Sequence, residues 1–249
     1  LVDYPTATGA VPALVLASKQ GEIYVLDRRT GEPLHEVTER PVPQGGVEPE
    51  RRARTQPFSG FHSLRMPDLT EADMWGMPPI DQMFCRIGFR RAAYRGVYTP
   101  PTADRRWIQY PGYNGGSDWG GVALDPVRGV VIANYNDMPN YNRLVPRAEA
   151  DRRGWAPRGQ ARGGAMSSGS EGAGDPQGGA PFAIDVNAGW RNDFTQRLCK
   201  GPPYGGIRAI DLASGRTIWD PPLGTARRNG PFGIPSMLAF TLGPPNHGG

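Results

Sequence analysis

Lysine is nearly absent: of the 28 Lys and Arg residues all but Lys19 and Lys200 are arginine. Cysteine occurs only at Cys85 and Cys199, with no CxxC or Cys/His spacing, which argues against a metal site built on thiolates. The two could form one disulfide in an exported protein or remain two buried thiols. The three histidines, His35, His62 and His247, are too dispersed for a metal cluster and read as surface or turn residues. Apolar runs such as ALVLA and VVIAN fall far short of the roughly 20 residues of a membrane helix, and no signal peptide is visible. No GxSxG, HExxH, Walker A or GxGxxG motif carries weight, and the glycine-rich run from Gly163 to Gly179 neither follows a clear strand nor opens a helix, so it does not read as a phosphate cradle. The net charge is +4, but the arginines are scattered among acids without an aromatic-interleaved stripe, which argues against a nucleic-acid partner.

Turn residues, by contrast, are plentiful. Gly 35 and Pro 27 make up about a quarter of the 249 residues and favour short strands joined by many turns. A pattern also recurs. GEIYVLDRRTGEPLHE is matched 184 positions later by GGIRAIDLASGRTIWD, pairing Ile23 with Ile207, Leu26 with Ile210, Asp27 with Asp211, Gly31 with Gly215 and Leu34 with Ile218. In WGGVALDPVRGVVIAN, Asp125 and Gly129 keep the same interval and suggest a third, weaker copy. Each unit reads as an alternating apolar strand, an Asp that can bond its own backbone, a Gly suited to positive φ, and a returning strand. Recurring hairpins of this kind point to a radial or stacked β repeat.

Elsewhere the pattern loosens. Residues 40–57 read as a turn-rich excursion, residues 147–181 as a Gly/Ser-rich surface loop, and DLTEADMWG from Asp68 as the start of a short helix. No linker divides the chain, so residues 1–249 read as part of one domain, with the Gly/Ser-rich loop at about 158–181. LVDYPT at the start and the apolar PSMLAFTLG near the end suggest an internal piece of a longer protein. The acid pairs Glu48/Glu50 and Asp73/Asp81 stand in polar or turn-rich surroundings and read as solvated charge. Lys19 stands apart. It directly precedes the turn into the strand Ile23–Leu26, and its repeat equivalent is Pro203; this suggests a local need that the scaffold repeat does not share, although an exposed lysine at a strand end is the commoner case.

Several stretches together carry a family resemblance: SKQGEIYVLDRRTGEP, TQPFS, ADMWGMPPIDQMFCRIGFRRAAYRGVYTPP, YPGYNGGSDWGGVALDPVRGVVIANYNDMPNYNRLVPR and CKGPPYGGIRAIDLASGRTIWDPPLGTARRNGPFGIPSM. The chain resembles the membrane-bound, pyrroloquinoline quinone (PQQ) dependent dehydrogenases of the glucose, quinate and shikimate group, with the glucose-oxidising members nearest. The resemblance implies an all-β fold, a partial eight-bladed β-propeller of the quinoprotein alcohol dehydrogenase-like kind holding its middle to later blades. It further implies PQQ at the propeller axis, an aldose substrate, ubiquinone as electron acceptor, a calcium or magnesium ion, and an N-terminal anchor in the bacterial inner membrane with the catalytic domain facing the periplasm.

By that resemblance Lys19 and Asn134 contact PQQ: Lys19 as a cation at the reactive carbonyl oxygens, Asn134 as an amide that can both donate and accept. His247 falls where relatives bring a variable residue near the cofactor. The general-base aspartate and the metal ligands are expected upstream of Leu1, so the chain alone should be inactive and isolated blades should aggregate through unpaired edges. The implied activity is oxidation of D-glucose to glucono-1,5-lactone. Its alternatives are quinate, shikimate or other polyol oxidation within the same family, or a propeller that has lost catalysis and serves as a binding scaffold.

Overall fold

The computed structural model describes residues 1–118, 120–155, 179–225, 227 and 237. His247, the PSMLAFTLG stretch except Met237, and the Gly/Ser-rich segment up to residue 178 lie outside them. The chain opens with three antiparallel strands, β1 (Val2–Thr6), β2 (Gly9–Ala17) and β3 (Glu22–Asp27). β3 alternates apolar residues, so Ile23 and Val25 are buried while Tyr24 and Leu26 are half-exposed. Beyond β3 the chain folds β4 (Val37–Pro41) back against β5 (Thr55–Ser59), and then β6 (His62–Ser63) closes on the start of β3. The far edge of β3 is therefore covered in two pieces, by the bridge from Leu26 to Pro33 and by β6. The excursion expected at residues 40–57 is real, but its ends are paired strands.

A long connection follows. Glu71–Asp73 form one 3-10 turn with a capping box between Thr70 and Asp73, and the true helix, α1 (Pro79–Arg91), starts later. The DLTEADMWG expectation thus holds only for that single turn. Pro79 at the first helical position, where no N–H is needed, explains the later start.

Next come β7 (Trp107–Gln109), β8 (Val122–Asp125), β9 (Val130–Asn136), β10 (Asn140–Pro146), α2 (Arg147–Arg152), β11 (Phe182–Asp185), β12 (Gly205–Asp211) and β13 (Thr217–Trp219). β8, β9, β12 and β13 form a second four-stranded sheet in the order β13-β12-β9-β8, while β7, β10 and β11 form a three-stranded sheet in the order β11-β10-β7. The Asp125–Gly129 hairpin has the form of the repeat, with Asp125 Oδ1 accepting the Val127 and Arg128 N–H groups at 3.0 Å and Gly129 at φ +63°, but it shares a sheet with the second copy and does not make a sheet of its own. It joins the first two strands of the sheet whose last two strands carry the second repeat, and two strands of the three-stranded sheet, β10 and β11, come between β9 and β12 in the chain.

The repeated aspartates do what their spacing predicts. Asp27 Oδ1 accepts from the Arg29 N–H at 2.8 Å and Asp211 Oδ1 from the Ser214 N–H at 2.7 Å, while Gly31 and Gly215 return N–H bonds to Asp27 and Asp211. The Arg29 guanidinium beside Asp27 holds that carboxyl down to about 2.

Ala13, Val15, Ile23 and Val25 of the first sheet pack with Val131, Ala133, Tyr135 and Ile210 of the second in one buried cluster. Each valine or isoleucine side chain among them, taken from water, contributes about 1.5–3 kcal/mol. The seam between the sheets is also hydrogen-bonded. The His62 Nδ1–H donates to the Gly215 carbonyl at 2.7 Å, Arg208 Nη1 donates to the Ser63 carbonyl at 3.0 Å, and Tyr4 OH donates to the Ala213 carbonyl at 3.2 Å. Gly215 carries φ +69° there, and a Cβ on it would overlap the Phe61 carbonyl oxygen. His35, hydrogen-bonded with Tyr4 OH at 2.6 Å, and His62 are thus part-buried packing residues and not surface ones. They are drawn inward because each supplies a ring nitrogen to a partner beside the seam, and burial pushes the imidazoles of both below their ordinary value.

A second cluster unites Met74, Cys85, Ile108, Tyr110, Trp190 and Cys199. Cys85 on α1 and Cys199 on the arm before β12 form a disulfide with Cα atoms 5.3 Å apart, settling the alternative left open by the sequence. Asp81, expected to be solvated, is instead only 1% exposed and pairs with Arg197 at 3.4 Å, because the inner face of α1 packs against this same arm.

The crosslink spans a sequence separation of 114 residues, so replacing both cysteines by alanine is expected to cost on the order of 4–5 kcal/mol of unfolding free energy. Urea denaturation of the double variant, compared with wild type, checks this value.

Candidate functional site

The turns that end β2 and the strand end of β9 point to one face of the paired sheets. Lys19 sits in the β2–β3 turn, held by Ser18 N–H donating to Glu22 and Gly21 N–H donating to Ser18. Its ammonium donates to Asp118 Oδ1 at 2.6 Å, with the lysine side chain half exposed and Asp118 7% exposed. Asp118 belongs to the PGYNGGSD loop, which lies directly on the lysine turn. Gly116 N–H donates to the Lys19 carbonyl at 2.9 Å, and a Cβ on Gly116 would come within 2.7 Å of the Gly21 Cα. Gly115, at φ +77°, leaves no room for a Cβ against the Lys19 carbonyl oxygen either. The two glycines therefore permit a backbone approach that any other residue would block.

The loop is tied to β9 by Asn136, whose Nδ2 donates to the Asn114 carbonyl at 3.1 Å. Asn134 lies two residues earlier on the same side of β9, opposite Ile207 of β12, and is half-buried. The structure thus brings Lys19 together with Asp118, and places Asn134 beside Asn136, the asparagine that reaches the loop.

Sequence reasoning missed a buried network behind this face. Asp137, directly after β9, accepts from Lys200 Nζ at 2.8 Å on one oxygen and from Tyr110 OH on the other. The side chains of Lys200 and Asp137 are only 12% and 6% exposed. Burial, with the Asp137 charge beside it, pushes the Tyr110 phenol well above its ordinary value, so it stays a proton donor. A signal was present, since Lys200 is the one other lysine in an arginine-rich chain. The network borders a cavity of about 400 Å³, and Lys19 borders another of about 430 Å³ with Gln20, Arg52, Tyr98, Gln109 and Tyr110. Arg52 Nε is buried there without an acceptor among the described residues. Among the described residues no group of three or more His, Cys, Asp or Glu could hold a metal ion, and no helix is long and apolar enough to cross a membrane.

Two blade-like antiparallel sheets packed face to face, with turns gathered at one end, are the working unit of a β-propeller. The sequence matches, over residues 1–249, the family described as glucose/ethanol/alcohol dehydrogenase PQQ β-propeller domain, and the chain belongs to that PQQ-dependent dehydrogenase family. It is 51% identical, over its whole length, to the glycerol dehydrogenase large subunit of Gluconobacter thailandicus, of which it covers 34%. It is 40% identical to a probable quinate dehydrogenase (quinone) of Xanthomonas campestris pv. juglandis and 36% identical to the quinoprotein glucose dehydrogenase of Escherichia coli, covering 30% of each. The chain therefore spans about a third of the length of these curated relatives. A solved europium-containing methanol dehydrogenase overlays 88% of the chain and 26% of its own length at a TM-score of 0.42 and 17% identity.

Removing one member of the buried pair leaves an uncompensated charge, so Asp137→Leu is expected to destabilise by about 3–5 kcal/mol, whereas Asp137→Leu with Lys200→Met should cost clearly less. A double-mutant cycle read by chemical denaturation distinguishes the two cases.

Proposed function

We propose that the parent protein of this chain is a PQQ-dependent dehydrogenase that oxidises a polyhydroxy alcohol and passes the electrons to a membrane quinone. Lys19 carries this reading: it is a cation oriented by a buried carboxylate, half open to solvent, at the face where the turns of both sheets meet. The donor chemistry suits the cofactor. PQQ bears carboxylates and quinone oxygens, and Lys19 with Arg52 offers cationic donors around the adjoining cavity. Lys19 and Asn134 are the residues of this chain proposed to hold the cofactor. When bound, PQQ supplies the electrophilic carbonyl that accepts the hydride equivalent of the alcohol carbon.

Lys19 would donate hydrogen bonds to the oxygens on which negative charge develops, and Asp118 would keep the ammonium aimed without removing its charge. The glycine contacts at residues 115 and 116 hold the loop against the lysine turn, so the cation needs little rearrangement as the reaction proceeds. Asn134 would fix the cofactor's orientation by donating and accepting. The general base and the ligands of a calcium or magnesium ion are proposed to come from other parts of the parent protein.

Glucose is one candidate substrate. The 51% identity to glycerol dehydrogenase large subunits, against 36% to the Escherichia coli glucose enzyme, favours an acyclic polyol such as glycerol over D-glucose and ranks quinate between them. The Cys85–Cys199 disulfide supports an oxidising compartment, the periplasmic side of the bacterial inner membrane.

The test uses the full-length parent loaded with PQQ and calcium, with glycerol, glucose and quinate offered in turn. Lys19→Ala is expected to lower turnover on the preferred substrate on the order of 100- to 1000-fold. Oxidation of none of the three, with no PQQ bound, would replace this reading with the binding scaffold.

A further inference from the structure

The outer side of the disulfide arm holds a cavity of about 350 Å³ that the proposed cofactor face does not use. Its walls are aromatic: Phe84 of α1, Tyr141 of β10, Trp190 and Phe194. Trp190 is 3% exposed, lies parallel to Tyr141 at 4.7 Å between ring centres, and adopts φ +46°, a backbone conformation that costs energy for a bulky residue. Gly88 on α1 makes room for this indole, since a Cβ there would already stand 3.2 Å from its Cζ2. Phe194 and Phe84, in contrast, are 93% and 50% exposed, so an aromatic face is left open at the mouth.

A polar group waits in the same wall. Asn192 is 7% exposed, and its Oδ1 accepts the N–H groups of Phe194 and Thr195 at 2.9 and 3.3 Å. Its buried Nδ2 is left with no acceptor among the described residues. A buried unpaired donor costs free energy unless water or a ligand in the cavity supplies an acceptor. Arg91 and Arg191 add cationic donors to the lining. From this cavity an apolar stripe runs along the exposed side of α1 through Ile87, Met83 and Ile80, spaced three and four residues apart.

We propose that this cavity is the binding site of the acceptor quinone. A flat ring whose carbonyls only accept hydrogen bonds matches the open rings of Phe84 and Phe194 with amide and guanidinium donors beside them, and an isoprenoid tail matches the apolar stripe of α1. The inference rests on the dehydrogenase reading above and deepens it. Oxidation of an alcohol to a carbonyl releases two electrons and two protons, and the quinone takes up both to become the quinol. Cys199 in the cavity wall is followed by Lys200, whose ammonium pairs with Asp137 behind the Lys19 face, so one short arm joins the two sites.

Binding of a short-chain ubiquinone analogue to the full-length, PQQ-loaded protein tests this, together with photolabelling by its azido derivative. Labels on residues 79–91 or 187–199 are expected. Asn192→Asp keeps the Oδ1 contacts but places a carboxylate against the quinone carbonyl, and should raise the Kd roughly 10- to 100-fold. Phe194→Asp, at a fully exposed position, should weaken binding in the same direction and carries the test if Asn192→Asp fails to fold. Labels confined to other segments, or a Kd within about twofold of wild type in the folded variants, overturn the assignment. Absorbance of the bound cofactor on adding polyol without quinone reports separately on the dehydrogenase reading.

Discussion

The seam between the two four-stranded sheets is the constraint on which the rest depends. Ile23 and Val25 of β3 meet Val131 and Ala133 of β9, and that packing sets the β2–β3 turn beside the end of β9. Because side chains on a strand alternate at a period of two, a slip of one residue in either sheet would turn these side chains outward and pull the Lys19 turn off the loop that Asn136 holds. Polar contacts then lock the register that the apolar packing allows. Arg208 illustrates the economy of the seam: it is 7% exposed, pairs with Asp220 at 2.7 Å, covers the Tyr135 ring, and still donates to the Ser63 carbonyl of the other sheet.

The two lysines make sense within this frame. Lys19 stands on the exposed face and Lys200 behind it, each against an aspartate, and their surroundings differ. Lys19 keeps half of its side chain accessible, whereas Lys200 is nearly enclosed with Asp137 and Tyr110. A compact ammonium fits where a planar guanidinium fork would need more room and more acceptors. The accessible one is suited to act on a ligand, and the enclosed one to hold the arm that carries the disulfide and the outer cavity.

Much of this was legible in the sequence, for a local reason. The Asp-to-Gly turns are decided by an Asp side chain bonding its own backbone and a Gly at positive φ, so DRRTG and DLASG could be read directly. The resemblance placed the PQQ propeller family from continuous stretches around those turns. What could not be read depends on distant partners. Asp125–Gly129 has the same local chemistry as the repeats, yet shares its sheet with the second copy, since the pairing of β9 with β12, far along the chain, is not encoded in the turn. Helix α1 was hidden because Ile80, Met83, Phe84 and Ile87 face outward and blur its periodicity. Asp81 and His62 looked solvated because Arg197 and Gly215, which bury them, stand 116 and 153 residues away. The pairing of Asp137 with Lys200 was missed for the same reason.

The proposal that PQQ sits at the face carrying Lys19 fixes what a loaded structure must show. A crystal structure of the full-length protein loaded with PQQ tests it most directly. The Lys19 ammonium is expected within hydrogen-bond range of the quinone oxygens, with Asp118 still at its back. A cofactor bound elsewhere, with Lys19 engaged by Asp118 alone, would contradict it.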